Sequence, residues 1–158
     1  MAEAEWATIP VRPETKKYLE ELKKRYRFAS YDELVKALTR PKRAIQLDLS
    51  REIPPVTGIL WNENWKEVPF DGQITQVIVH FPSGCNALVE VRVGVYQEGT
   101  VHWICPKEGF LALDDVTLTF NIFWPVRKKD RVCAEIYNYD DRYYHRIGIT
   151  VVVEEMIY

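Results

Sequence analysis

The sequence predicts an α+β chain in which an N-terminal strand-helix-helix arm is followed by an antiparallel jelly-roll-like β-sandwich. Two patterns carry this prediction. Apolar residues recur at helical spacing as far as Thr39, with Lys, Glu and Arg between them. From Thr57 onward apolar and polar residues alternate instead, and turn-forming segments separate the alternating stretches. No helical pattern falls between those stretches, which favours an antiparallel sheet over a parallel one.

The arm begins with a short alternating stretch, Thr8–Arg12. Ile9 and Val11 alternate there with other positions, which is the period of a strand with one buried face. Pro13 follows where a helix can begin, because a residue in the first turn has no use for its N–H. The apolar stripe of this first helix consists of Tyr18, Leu19, Leu22 and Tyr26.

A second helix is predicted to begin after Ser30. The Ser30 side chain can accept a hydrogen bond from the N–H of Glu33, and Glu33 can reach back to the N–H of Ser30, which together form a capping box. A strand and two helices of this size cannot bury their apolar faces alone, so we expect the arm to dimerise by strand pairing. The predicted subunit-interface residues of the arm are Ile9, Val11, Leu19, Leu22, Leu34 and Leu38.

These features resemble the ribbon-helix-helix family, and most closely its small archaeal antitoxin-like members. The resemblance rests on Thr8–Thr15, where a strand runs into a helix, and on Ser30–Leu34, where the second helix opens. It implies a dimer whose paired strands bind duplex DNA in the major groove, while the N-terminus of the second helix holds a phosphate. The nucleic-acid-binding residues under this interpretation are Thr8, Arg12, Lys16, Lys17 and Ser30.

Charge is distributed unevenly along the chain, whose net charge is −2. Residues 12–43 hold eleven basic and five acidic side chains, whereas residues 44–158 hold ten basic and sixteen acidic ones. A basic arm on an acidic body indicates an anionic partner, or docking of the arm on a neighbouring copy. Pro10 counts against DNA recognition, because the central outward position of the strand then offers no donor to a base edge.

The sequence divides into an arm over residues 1–43, a linker over 44–57 and a β-sandwich over 58–158. Ile45, Leu47 and Leu49 alternate within the linker, so part of it is predicted as an edge strand. Pro54 and Pro55 make the approach to the sandwich stiff and extended.

Alternation and turns place the main strands of the sandwich. With shorter segments they give about seven or eight strands, at spacings typical of a sandwich. The main strands are predicted over residues 73–81, 88–96, 101–104, 115–124, 131–139 and 145–153. In the first of them, one shared face is predicted to hold Thr75, Val77, Val79 and Phe81.

Residue types that carry catalysis or bind metals are sparse in this sequence. The three histidines lack metal-ligand spacing, and the three cysteines form no Cys-x-x-Cys pair, which excludes a zinc ribbon and predicts buried free thiols. Neither a Gly-x-Ser-x-Gly motif nor a Gly-rich phosphate loop occurs. We therefore predict no catalytic residue, cofactor or metal. The alternative is calcium bound at one end of the sandwich by Asp114, Asp115, Asp140 and Asp141.

Aromatic residues make up 13% of the chain, more than one small core needs. Tyr137 and Tyr139 alternate with the inward set Val132, Ala134 and Ile136, and so point to the outer face of their strand. An external row of aromatic side chains predicts a partner, either another subunit or a sugar stacked on the rings. Subunit contact is the commoner use, so both tyrosines are predicted subunit-interface residues.

The sandwich also resembles jelly-roll modules of viral and phage structural proteins. The resemblance rests on the segment from Asp71 to Asn86, which includes Phe81-Pro82-Ser83-Gly84, and on Leu111–Asp115. It implies a structural role for the sandwich in an assembly.

Three functions follow from these patterns. The first is a non-catalytic, self-assembling structural protein of a virion or mobile element, in which the arm dimerises and the sandwich mediates further subunit contacts. The second is a ribbon-helix-helix DNA-binding regulator whose sandwich serves as an oligomerisation or effector domain. The third is a carbohydrate-binding β-sandwich.

The expected partner is a further copy of the chain, with duplex DNA as a second partner for the basic arm. No apolar run approaches the ~20 residues of a membrane span, so no membrane partner is expected. The acidic N-terminus lacks the apolar region of a signal peptide, which counts against a secreted carbohydrate-binding module. The expected location is therefore the cytoplasm or an assembled virion.

Overall fold

The computed structural model describes residues 11–40 and 42–156, which form two helices followed by ten strands. These residues separate into two compact units, the helical arm over 11–40 and the β-sandwich over 42–156. Neither helix in the described part of the chain has the length and apolar character needed to cross a membrane.

The arm contains α1 (Pro13–Arg25) and α2 (Tyr31–Thr39), as the sequence predicts. Pro13 lies in the first turn of α1. At the start of α2 the Ser30 Oγ accepts a hydrogen bond from the Glu33 N–H at 3.2 Å. The Glu33 carboxylate accepts its return bond from the N–H of Ala29 at 2.9 Å, not from that of Ser30. The predicted cap is therefore present, with its second bond displaced by one residue.

Most of the predicted strand Thr8–Arg12, including Thr8 and Ile9, lies outside the described residues. Val11 and Arg12 are described and are not in a strand. Arg12 instead precedes α1 as its N-cap residue, with φ −58° and ψ 143°. Pairing of two such strands in a dimer stays a prediction.

Two antiparallel sheets form the sandwich. The first has the strand order β1-β10-β5-β8, and β2 also pairs with β10. Its strands are β1 (Ala44–Asp48), β2 (Arg51–Ile53), β5 (Gly72–Phe81), β8 (Val116–Val126) and β10 (His145–Glu155). The second has the order β3-β9-β6-β7, and β4 also pairs with β9. Its strands are β3 (Thr57–Ile59), β4 (Trp65–Glu67), β6 (Val89–Gln97), β7 (Thr100–Cys105) and β9 (Arg131–Asn138).

Strand pairing is nested along the chain. The first strands, β1 and β2, pair with the last, β10, while β3 and β4 pair with β9, β5 with β8, and β6 with β7. This is the pattern of one long hairpin that closes at the turn between β6 and β7. Glu98 and Gly99 form that turn with φ 49° and 81°, since a tight two-residue hairpin of type I′ needs positive φ at both positions. Two additional pairings join successive nested pairs within each sheet: β5 with β10 in the first sheet and β6 with β9 in the second.

The core lies between the two sheets and follows the predicted alternation. Each inward residue of β6, β9 and β10 is fully buried, whereas the inward residues of the edge strand β8 are mostly half-buried. The predicted inward residues of these three strands, all fully buried, are Val89, Val91, Val93, Val95, Val132, Ala134, Ile136, Ile147, Ile149, Val151 and Val153. The inward faces predicted for these strands are therefore confirmed.

The segment 44–57 is not a linker but part of the sandwich. It supplies β1 and β2, which pair with β10, and the first residue of β3, which pairs with β9. Leu49 and Ile53 are 1% and 0% exposed in the core. The reason is that pairing with a long partner strand satisfies the backbone of these short strands, while Leu49 and Ile53 contribute apolar side chains to the core. In the chain, the sandwich begins at Lys42.

The inward face of β5 differs from the prediction at one position. Ile74, not Thr75, is fully buried beside Val77, Val79 and Phe81. The pairing of β5 with both neighbours shifts between Ile74 and Gln76, which is a β-bulge. A bulge inserts one extra residue and so exchanges the faces on its two sides.

Candidate assembly surfaces

The two tyrosines predicted at a subunit interface lie on the outer face of the second sheet. Tyr139 is 58% exposed, and Tyr137 is half-buried. Their rings stack with centroids 6.4 Å apart. Tyr137 lies over Gly58 of the neighbouring β3, where a Cβ atom would stand only 2.5 Å from the ring. A glycine at this position therefore lets the tyrosine ring lie flat against the sheet.

Next to Tyr137 lies an ion pair that is shielded from water. Arg92 on β6 faces Glu135 on β9, and its Nη2 and Nε donate to the Glu135 Oε2 at 2.7 and 2.9 Å. The Glu135 side chain is 4% exposed and that of Arg92 is 25% exposed. The Tyr137 hydroxyl donates to the same carboxylate oxygen at 3.3 Å. Burial, followed by the charge of Glu135, raises the pKa of Tyr137 above its ordinary value.

Aromatic rings enclose the Arg92 guanidinium. It lies 3.7 Å from the ring centroid of Trp103 and 4.6 Å from that of Phe110, at cation–π distances. Phe110 also meets Tyr137 edge to face at 5.7 Å. We call this set of residues the aromatic strip: Arg92, Trp103, Phe110, Glu135, Tyr137 and Tyr139. Its side chains hold one another in place before any partner binds.

Further rings lie on the same outer face. Trp61 stacks on Tyr96 at 5.2 Å, and Arg131 lies 4.1 Å from the ring centroid of Trp65. Tyr96 and Arg131 are direct cross-strand neighbours, one on β6 and the other on β9. Trp, Tyr and Arg are the residue types that dominate protein interfaces. The outer face of the second sheet is thus a candidate contact surface along much of its length.

The other predicted interface residues lie on the arm. Val11 and Leu38 are 46% and 39% exposed, Leu19 and Leu22 are half-buried, and Leu34 is 1% exposed. Leu34 is therefore covered within the single chain and cannot itself touch a partner. Ile9 lies outside the described residues. Val11 and Leu38, together with the exposed Tyr18 and Val35, leave apolar surface open on the arm.

The predicted nucleic-acid-binding residues are only partly brought together. Arg12 and Lys16 are one helical turn apart, and both are exposed, as is Lys17. Ser30 serves as the N-cap of α2. Thr8 lies outside the described residues, so the structure places only four of the five predicted residues.

Two of the four aspartates proposed for calcium have other partners. Asp140 accepts hydrogen bonds from His145 Nε2 at 2.8 Å and from the N–H groups of Arg142 and Tyr143, while Asp114 accepts from the Gly84 N–H. Within 11–40 and 42–156, no three His, Cys, Asp or Glu side chains are grouped as metal ligands. His80 bonds Thr117, and His102 packs on Trp124.

The three cysteines are free and buried, as predicted. Burial raises the pKa of Cys85 and Cys105 to about 11 and that of Cys133 to about 12. Thiols in this range stay protonated near neutral pH, and the thiolate is the nucleophilic form. The cysteines therefore act as small apolar core residues.

Replacing Asp140 by asparagine is expected to make the sandwich less sensitive to acid. The hydrogen bond from His145, followed by that from the Arg142 N–H, lowers the pKa of Asp140 below 3.8. A lowered folded-state pKa adds stability above about pH 4, and this stability is lost as the pH falls through the folded-state value. Melting temperatures of wild type and Asp140→Asn should therefore differ at pH 7, and the difference should be smaller at pH 3.

The matched control is Asp141→Asn. The Asp141 side chain is 79% exposed and lies 3.7 Å from Arg142, a surface ion pair of small worth. Its melting temperature should follow wild type at both pH values. An Asp140→Asn variant that also matches wild type at pH 7 would show that this carboxylate does not stabilise the loop.

No protein-family model and no curated protein matches the chain. Two solved structures of infectious bursal disease virus are similar to it. The structure of the Gx strain has 14% identity and a TM-score of 0.44 over 73% of this chain and 32% of that one. The VP2 subviral particle has 11% identity and a TM-score of 0.44 over 72% and 32%. The chain thus spans about a third of each viral chain. Similarity at this level assigns neither fold nor function.

Proposed function

We propose that the chain is a non-catalytic structural protein that assembles with further copies of itself, as a subunit of a virion or of another particle of a mobile element. The observation that carries the proposal is the aromatic strip. It presents an exposed ring, Tyr139, on a support that Tyr137, Phe110 and Arg92 hold in place. Rings held in this way contribute contact area at small entropic cost, which is typical of interface hot spots.

We infer that the sandwich is a jelly roll. The nested pairing supports this, because a jelly roll is a long antiparallel hairpin wound into two facing sheets. The alternation of successive windings between the sheets supports it as well. Jelly rolls occur in viral capsid proteins, and also in lectins and cupins. The fold is therefore compatible with a particle subunit, while the argument for assembly rests on the strip.

The arm is proposed as a second contact that dimerises the subunits. We expect Leu38→Glu to lower the mass measured by light scattering at least about twofold, since a charge buried at an apolar contact costs on the order of 2 kcal/mol or more. Leu38 is 39% exposed in the single chain, so the arm should still fold. Lys17→Glu, which places the same negative charge at another exposed position, is the control and should keep the wild-type mass. A wild-type mass for Leu38→Glu would exclude this helix face from the contact.

DNA binding by the arm is a second candidate function, favoured by the exposed Arg12, Lys16 and Lys17 and by the excess of basic residues over 12–43. We expect weak sequence preference and a steep salt dependence, because phosphate contacts carry no base information. In anisotropy titrations with labelled duplexes, Lys16→Gln with Lys17→Gln should reduce the salt slope by about 2. Tight binding that is indifferent to salt would contradict this, as would a strong operator preference lost in Arg12→Ala.

Light scattering of the intact protein, with and without duplex DNA, separates the two candidates. Assembly predicts a mass of many subunits that does not depend on DNA. A regulator predicts a small oligomer whose mass rises by that of the duplex when DNA is added.

A further inference from the structure

A hollow of about 550 Å³ opens at one end of the sandwich. Residues of the loop between β5 and β6 form one wall, with Ser83 and Asn86 facing the space. Residues of the loop between β9 and β10 form the other, where Tyr143 and Tyr144 are the largest side chains. All of its lining residues belong to the sandwich, and none of them belongs to the aromatic strip. Its volume is in the range of small-molecule sites.

Hydrogen bonds within the chain hold the first wall in place. The Gly84 N–H donates to Asp114 Oδ1 at 2.9 Å, and Asn86 Nδ2 donates to the Gly84 carbonyl at 3.3 Å. Gly84 and Asn86 have φ values of 98° and 48°, in the left-handed region that Gly and Asn tolerate best. The wall therefore has a defined backbone shape.

The second wall is held in the same manner. Asp140 accepts hydrogen bonds from the N–H groups of Arg142 and Tyr143 at 2.9 and 3.2 Å and from His145 Nε2 at 2.8 Å. Asn138 Nδ2 donates to the Tyr143 carbonyl at 2.9 Å. Asp140 and His145, both 6% exposed, form the base of this loop. The two tyrosines are thus presented by a fixed backbone.

The side chains around the hollow define the chemistry of a ligand. Tyr143 and Tyr144 are 64% and 62% exposed and offer ring faces to an apolar surface. Among the described residues that line the hollow there is no Lys or Arg. The carboxylate there, that of Asp140, already accepts three hydrogen bonds. A charged ligand would find no free counter-charge, whereas the Ser83 hydroxyl and the Asn86 amide suit neutral hydroxyl groups.

We propose that this hollow binds a neutral saccharide. The C–H face of a sugar ring stacks on Tyr143 and Tyr144, and its hydroxyl groups bond to Ser83 and Asn86. The proposal does not depend on assembly, because every residue that it uses belongs to the sandwich of a single chain. Saccharide binding and particle mass are measured separately, so one proposal can fail while the other holds.

The test is a glycan array probed with the intact protein, carrying neutral oligosaccharides beside sialylated and sulfated ones. We expect binding to neutral glycans, and at least a tenfold loss of affinity for the strongest of them in Tyr143→Ala with Tyr144→Ala. Tyr18→Ala, which removes a tyrosine 60% exposed on the arm, is the matched control and should bind as wild type does. No neutral glycan bound, a requirement for charged glycans, or full affinity in the double variant would each overturn the proposal.

A second measurement uses only the wild-type protein, so it tests the proposal even if the double variant does not fold. Hydrogen–deuterium exchange of the wild-type protein, with and without the strongest glycan, should show slower exchange in peptides over 82–88 and 139–145. Protection confined to other segments would place the glycan elsewhere and overturn the proposal.

Discussion

Replacing Arg92 by alanine is expected to destabilise the sandwich by about 3 kcal/mol. The change leaves the Glu135 carboxylate, 4% exposed, without the guanidinium that compensates its charge. Removing one partner of a buried ion pair costs about 3–5 kcal/mol, and the lower end applies here because Arg92 itself is 25% exposed. For a chain of this length the melting temperature should fall by about 6–12 °C in a thermal unfolding scan.

Two further variants distinguish the cost of breaking the ion pair from the cost of removing an arginine from this face of the sheet. Arg131→Ala removes a guanidinium that lies over Trp65 on the same face, and should cost about 1 kcal/mol or less. Arg92→Leu combined with Glu135→Leu removes both charges and should regain most of the stability, since apolar replacements of a buried pair are often neutral or stabilising. If Arg92→Ala has the melting temperature of wild type, the ion pair is solvated and contributes nothing to stability.

The Arg92 variant also bears on assembly. Trp103 and Phe110 both pack on this guanidinium, and Phe110 in turn supports Tyr137. The same substitution should therefore lower the mass of the assembled protein even at temperatures where the sandwich remains folded.

The alternation of apolar and polar residues predicted the core strands well, because it depends on the sequence of one strand and not on its partners. Successive side chains of a strand point to opposite faces, so the inward faces of β6, β9 and β10 follow from the sequence alone. The bulge at Thr75 was not predicted, because the residue is extra only relative to the partner strand β10, whose consecutive Val152 and Val153 pair with Gln76 and Ile74. The short strands β1 and β2 fall within the predicted linker for a similar reason, although the edge strand predicted from Ile45, Leu47 and Leu49 is present as β1. Their partner, β10, lies about a hundred residues away in the chain.

The candidate sites show the same limit. Tyr137 and Tyr139 were placed correctly on the outer face, since that placement needs only the period of one strand. Arg92 and Glu135 were missed, although each also lies at an outward position of its strand. Finding them requires the register of β6 against β9, which sets the two residues opposite each other. The hollow near Tyr143 depends on left-handed backbone at Gly84 and Asn86, and so on loop geometry that alternation does not report.

We expect Tyr139→Ser to fold normally and to associate more weakly, on the order of tenfold or more, as for an aromatic hot spot. Tyr139 is 58% exposed, and the ring contact found for it is the stack on Tyr137 at 6.4 Å. Its removal should therefore change the melting temperature little. Tyr137→Ser is a poorer test, because that ring also packs on Phe110 and bonds Glu135. Light scattering over a dilution series measures the change in association.

Phe123→Ser is the matched control for Tyr139→Ser. Phe123 is an aromatic residue 71% exposed on β8, in the first sheet rather than the second. If the aromatic strip is the subunit contact, Phe123→Ser should assemble as wild type does, whereas Tyr139→Ser should form smaller species at every concentration. The reverse result would place the contact on the first sheet. Wild-type assembly in both variants would mean that exposed rings on neither sheet join the subunits, and that the strip serves only to stabilise the fold.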